Sequence, residues 1–189
     1  MVHRWPPCLA ALLFSLSLAA PAGAARVYAT AQEALVRHFP PPATTARKVA
    51  WLTPAQAKEV ERRGGEPSRR VVPYYEAHQA GRLIGYAFVD DVIGRTEPIT
   101  YLVALTPEAA VVGVDLLTFR ESHGYEVERQ SWRDQFHGRR LSPELHLGRA
   151  IDSISGATLS ARAITRGIRR LLATAEVVLT SARRPQGPR

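Results

Sequence analysis

The sequence predicts an α+β fold, with N-terminal helices, an antiparallel sheet and a C-terminal helix packed on it. Three observations predict it. Helix-start and helix-stop signals fall early. Four Val-, Ile-, Leu- and Tyr-rich runs follow, separated by turn residues. A single amphipathic stretch closes the ordered part of the chain.

Val27 to Phe39 has helical spacing and stops at Pro40-Pro41-Pro42, which reads as an extended linker. Thr53-Pro54-Ala55-Gln56 starts a second helix: threonine caps, proline suits the first turn and glutamine stands at the capping-box position. Gly64-Gly65 ends it. Arg70 to His78 and Arg82 to Val92 flank a Gln79-Ala80-Gly81 turn. Ile99 to Leu105 and Ala110 to Phe119 flank Thr106-Pro107-Glu108. Trp132 and Phe136, four apart, suggest a short helix with one buried edge. In Leu159 to Ala173, Ile164, Ile168, Leu171 and Leu172 share one face, while Arg162, Arg166, Arg169 and Arg170 lie largely on another. The expected organisation is a leader over 1–24, a helical region over 25–68, a main domain over 69–176, and a Pro-, Gly- and Arg-rich tail over 177–189 whose composition predicts disorder.

The leader is read from Arg4, the apolar run Leu9 to Ala20, and the small residues Ala22-Gly23-Ala24, the pattern of a cleaved secretory signal. The run is shorter than the roughly 20 residues that span a bilayer. Cys8 precedes the apolar run and is badly placed for a lipoprotein site. It is the one cysteine, so a chain cleaved after Ala24 has no disulfide, thiolate metal site or cysteine-held cluster. The expected mature protein is soluble and extracytoplasmic, in the periplasm, and must be held by its core alone. The formal charge is +8 and almost entirely arginine, the lysines being Lys48 and Lys58. An exported chain without aromatic–basic interleaving is not expected to bind nucleic acid. An anionic membrane surface, an acidic partner and arginine-rich coding all remain open as reasons for the charge.

The segment that carries chemistry is Asp152-Ser153-Ile154-Ser155-Gly156-Ala157-Thr158, directly before the last helix. Ser155, Gly156 and Ala157 are small and let another molecule approach the backbone. Thr158 brings a hydroxyl to a helix start, where unpaired N–H groups and partial positive charge favour a phosphate. The plainer alternative is that Ser155 merely caps the helix. Capping does not explain why the aspartate, the Gly-Ala pair and the threonine occur together.

This segment resembles the flavinylation motif of the FMN-binding domain family, which includes subunits of the Rnf and Na⁺-translocating NADH:quinone reductase complexes. The resemblance implies that a Mg²⁺-dependent flavin transferase moves FMN from FAD onto Thr158, with Asp152, Ser155, Gly156 and Ala157 completing the recognition motif. It extends over roughly Val71 to Ala173, through Leu83 to Thr100 and Tyr101 to Tyr125, with Trp132, Phe136 and Gly138 also where stand-alone members place them. Large-complex subunits usually read Glu-Thr-Pro-Gly where this chain has Glu121-Ser122-His123-Gly124. They also carry a membrane helix that the expected mature chain lacks.

The implied flavin contacts are Glu121, Ser122 and Gly124, with Tyr125 and Trp132 as stacking candidates against the alternative of core filling. His123 is balanced between tuning the flavin and plain surface. Arg162 and Arg166 either reach the phosphate or are solvated. Asp90-Asp91 reads as a strand-end turn in preference to a cation site. No histidine spacing suggests zinc and no hydrolase signature is present. The expected function is an exported carrier with covalent FMN, taking electrons from a membrane or exported donor and passing them to an acceptor. No residue is expected to be catalytic, since the flavin carries the chemistry. A flavin-free binding or assembly module and an exported flavin reductase are the alternatives.

Overall fold

The computed structural model describes residues 25–65 and 69–180. The expected leader and residues 181–189 of the expected tail lie outside the described residues. The strands are β1 (Arg26–Val27), β2 (Thr44–Trp51), β3 (Val71–Gln79), β4 (Arg82–Ile93), β5 (Pro98–Leu105) and β6 (Val111–Phe119). The helices are α1 (Ala31–His38), α2 (Pro54–Gly64), α3 (Gln130–Arg133) and α4 (Thr158–Thr174). The described strands form one antiparallel sheet in the order β1-β6-β5-β4-β3-β2.

Both early helices begin with a capping box. Thr30 and Glu33 close one, and Thr53 and Gln56 close the other. The first helix therefore starts at Ala31, later than the spacing from Val27 predicts, and Arg26–Val27 pairs with Thr118 and Phe119 instead. Residues 25–65 supply both edge strands as well as two helices. β2 was absent from the sequence expectation. Only Ala50 of β2 is buried, so no clean alternation marks the strand. Arg47 and Lys48 place exposed positive charge on this open edge, a feature that disfavours edge-to-edge pairing. The β3–β4 turn narrows to Ala80-Gly81, both at positive φ (49° and 74°), the geometry of a two-residue hairpin turn. Residues 177–180, expected in the tail, continue α4 as a π turn over Ala175–Thr180.

The sheet is covered on both faces. α1 and its C-cap Phe39 pack Ala34, Leu35 and the Phe39 ring on Ala77, Ala87, Leu102, Ala104 and Leu117. The other face, with Phe88, Val92, Tyr101 and Val103, carries α4 and α2 through Ile164, Ile168, Leu172 and Val60. β5 shows the alternation directly: Tyr101, Val103 and Leu105 face α4, while Leu102 and Ala104 face α1. Asp90 and Asp91 lie within β4, not in a turn, and the chain reverses over Gly94 to Glu97.

α4 lies close on the sheet because Gly167 has no side chain. A Cβ there would overlap the Tyr101 hydroxyl and stand 2.8 Å from Val92 Cγ1. Tyr101 is fully buried and cannot swing away. Gly167→Ala should therefore destabilise by about 1–3 kcal/mol in urea unfolding. Tyr101→Phe in the same chain should recover part of the loss, because it removes the nearest clashing atom.

Candidate functional site

The motif loop is built from behind. Ile151 is fully buried, and its carbonyl accepts from Gly148 N–H at 2.7 Å. Trp132 Nε1 donates to the Asp152 carbonyl at 2.9 Å, and Asp152 N–H donates to Gln135 Oε1 at 2.8 Å. Ala157 N–H closes a turn onto Ile154 O at 3.2 Å, with Gly156 at φ 86°. That turn sends Ala157 into the core and leaves Asp152, Ser155, Gly156 and Thr158 exposed.

Thr158 is the first residue of α4 and Ala157 is its N-cap. No side chain caps this terminus, so Ser155 does not cap it, and the plainer reading of the motif is overturned. The N–H groups of Thr158, Leu159 and Ser160 have no acceptor within the helix, which makes an anion site of its first turn. The exposed Thr158 hydroxyl donates to Ile154 O at 3.2 Å, so its oxygen lone pairs face outward from that bond.

A pocket of about 320 Å³ opens at this helix tip, lined by Arg95, His123, Gly124, Gly156, Ala157, Thr158, Leu159 and Ser160. Its size falls in the range of ligand pockets, about 300–1,000 Å³. The lining includes an arginine and no carboxylate, so its charge favours an anion. The residues fit a phosphate ester: free backbone donors, a cation, an outward hydroxyl, and glycine where bulk would intrude. A Cβ at Gly156 would stand 2.9 Å from Glu126 Oε1.

Of the residues expected from sequence, Thr158, Gly156, Ala157 and Gly124 line this pocket, and so does His123. Gly124 acts differently from the expectation. At φ 82°, a Cβ would meet Ser160 Oγ at 2.6 Å, so the glycine lets its turn close on α4. Asp152, Ser155 and Ser122 are exposed nearby without lining the pocket. Trp132 is 4% exposed, packs edge-to-face on Phe136 at 5.4 Å and supports the motif from the core. Tyr125 is exposed outside the pocket, with the Arg26 guanidinium 5.0 Å from its ring centre. Arg162 and Arg166 are not in the lining either; the cation there is Arg95.

Glu121 holds that cation in place. Buried, it accepts from the backbone N–H groups of Arg95, Thr96 (2.6 Å) and Glu97 (2.9 Å), and from the Thr96 hydroxyl at 3.2 Å. Its carboxylate clamps the β4–β5 turn instead of facing the pocket. Burial by itself pushes this carboxyl up, but the Glu97, Thr96 and Arg95 donors outweigh it and hold the value below 4.5. The stabilisation is therefore complete above the ordinary value and drains as pH falls through the lowered folded-state value. Urea unfolding between about pH 6 and pH 3 should show a steeper acid-side loss of stability in wild type than in Glu121→Gln.

Four residues of the site were not anticipated from sequence. Arg95, Leu159 and Ser160 line the pocket, and Glu126 backs Gly156, with Oε2 buried and without a partner among the described residues. Leu159 and Ser160 follow from a helix that begins at Thr158. No spacing signals Arg95 or Glu126, which arrive through tertiary packing.

Residues 94–173, which hold the motif and every residue lining the pocket, match the FMN-binding domain family. A subunit of the ion-translocating oxidoreductase complex of Stutzerimonas stutzeri is 34% identical over 113 residues, covering 54% of this chain and 50% of the relative. A subunit of the proton-translocating ferredoxin:NAD(+) oxidoreductase complex of Clostridium ljungdahlii is 24% identical over 103 residues, 51% of this chain and 56% of the relative. The chain spans about half the length of these curated relatives. A crystal structure of Shewanella oneidensis NqrC aligns with a TM-score of 0.48 at 13% identity, over 77% of this chain and 87% of that one. Over residues 94–173 this chain is thus similar to the FMN-binding domain family.

Proposed function

We propose that this protein is an exported electron carrier whose FMN is attached to Thr158 through a phosphoester. The observation that carries the reading is the Thr158 hydroxyl, exposed on an uncapped helix N-terminus beside a pocket with an arginine and no carboxylate. In the attachment, a bond forms between Thr158 Oγ1 and the flavin-side phosphorus of FAD. The pyrophosphate P–O bond breaks, AMP leaves, and the hydroxyl proton passes to a base of the flavin transferase. The α4 backbone N–H groups and Arg95 then balance the charge of the phosphodiester. Bound FMN supplies one- and two-electron chemistry.

Two relatives carry the names of ion- and proton-translocating oxidoreductase subunits, which supports a redox partner at a membrane. The sequence pattern of the first 24 residues supports export. Outside the cytoplasm a covalent tether has a clear use, since a flavin lost by dissociation could not readily be replaced. The test is denaturing gel electrophoresis of the exported protein co-produced with a flavin transferase. A band with flavin fluorescence is expected. A dark band would favour the flavin-free binding module.

A further inference from the structure

A second concavity lies farther along α4, and nothing in the flavin reading uses it. About 640 Å³ in volume, it sits between the C-terminal end of α2, the end of β4 and the middle of α4. Arg62, Arg63, Arg166, Arg169, Arg170 and His146 line it, with Asp91 as the sole carboxylate among the described residues. Asp91 accepts from the Thr100 hydroxyl at 2.6 Å and keeps its charge, one negative charge against five arginines.

The arginines divide into two groups. Arg62 pairs with Glu59 at 2.6 Å, Arg63 pairs with Glu176, and Arg170 pairs with Asp90 at 2.6 Å. Arg169 spends its donors on the neutral carbonyls of Ser142, Leu145 and Arg63, so no carboxylate among the described residues offsets its charge. Arg166 is exposed with no carboxylate partner among the described residues. Arg170 adds a buried Nε–H that has no acceptor among the described residues. The surplus is felt locally: burial, then Arg169 and Arg149, holds His146 below its ordinary value of 6.5.

Location gives the surplus a use. Thr158, Arg162 and Arg166 recur at four-residue spacing and are all exposed on α4, so they form one outward stripe. Arg166 stands about 12 Å from Thr158 along the helix axis. Ile93, 59% exposed, is the apolar residue at the cleft's rim.

We propose that this cleft is the docking site for an acidic protein segment of the redox partner, one that presents carboxylates around an apolar side chain. This rests on the reading that Thr158 carries the flavin, because docking here would bring the partner beside it. A concave cleft admits a projecting segment and disfavours a flat lipid surface. The carboxylates would meet Arg166 and Arg169 in the cleft, with Arg162 one turn nearer Thr158 on the same exposed stripe, and the apolar side chain would meet Ile93.

The test uses the full exported protein and a fluorescein-labelled peptide, Glu-Glu-Leu-Glu-Glu, followed by fluorescence anisotropy at low and physiological salt. Binding is expected, with Arg166→Glu and Arg162→Glu each weakening it at least about tenfold. Arg47→Glu, an equal charge reversal on exposed β2 at the far sheet edge, should change it less than about twofold. Both α4 residues are exposed and make no described side-chain bond, so the fold should survive the reversals. Three results would overturn the proposal: no peptide binding, equal weakening by Arg47→Glu, or displacement by inorganic phosphate at matched concentration. Phosphatidylglycerol vesicles whose binding depends on Arg166 while the peptide does not bind would assign the cleft to lipid and overturn it as well. Running Thr158→Ala alongside keeps the two readings apart. Retained peptide binding there shows that docking stands without flavin, and lost binding would contradict a separate cleft.

Discussion

Thr158→Ala should abolish covalent flavin and leave the domain folded. The side chain is exposed, and its one described bond is the 3.2 Å donation to Ile154 O, so removing it costs little stability. Alanine also suits the first turn of a helix. The loss should be complete because no other hydroxyl among the described residues has the same setting. Ser160 is 3% exposed and turned toward Gly124, while Ser155 precedes the helix. Thr158→Ser keeps the nucleophile and should retain part of the loading. Denaturing-gel fluorescence reads all three proteins, and a folded Thr158→Ala protein that is still fluorescent would move the attachment elsewhere.

Asp90→Ala should give the largest loss of stability. Asp90 is 3% exposed on the α4-facing side of β4. It accepts from Arg170 at 2.6 Å, from Arg69 at 3.4 Å and from the Tyr101 hydroxyl at 3.5 Å. Burial and then Asp90 itself push the Tyr101 hydroxyl well above its ordinary value, so the tyrosine stays a neutral donor. Removing the carboxylate leaves the Arg170 guanidinium, only 17% exposed, without its counter-charge. Breaking such a pair from one side costs about 3–5 kcal/mol. By contrast, the Arg62–Glu59 pair is 71% and 41% exposed, and its loss should cost less than about 1 kcal/mol. Urea unfolding of Asp90→Ala and Glu59→Ala makes the comparison. The ion pair fixes the roll of α4 on the sheet, so Asp90→Ala should also loosen the pocket at the helix's other end and lower flavin loading.

Where the physics was local, the residues announced the structure. Thr53, Pro54 and Gln56 mark the start of α2 and Gly64-Gly65 its end, because caps are decided within a few residues. Ala80-Gly81 marks a hairpin for the same reason. The apolar face of α4 was readable from Ile164, Ile168, Leu171 and Leu172, each buried. β2 was hidden because an edge strand with one buried residue has almost no alternation to read. In the site, Thr158 was legible because helix start and hydroxyl adjoin in the chain. The roles of Glu121 and Trp132 were not, since each depends on a bond to a segment 20 or more residues away. Both hold the pocket's walls from behind, a distinction that residue type cannot make.

The central claim is tested most directly by mass spectrometry of the exported protein after denaturation and trypsin digestion. Cleavage after Arg149 and Arg162 releases the peptide Ala150 to Arg162, which contains Thr158 together with Ser153, Ser155 and Ser160. The account predicts this peptide with the mass of one FMN less one water added, and fragmentation that places the addition on Thr158. The unmodified peptide alone, from protein co-produced with an active flavin transferase, would contradict it.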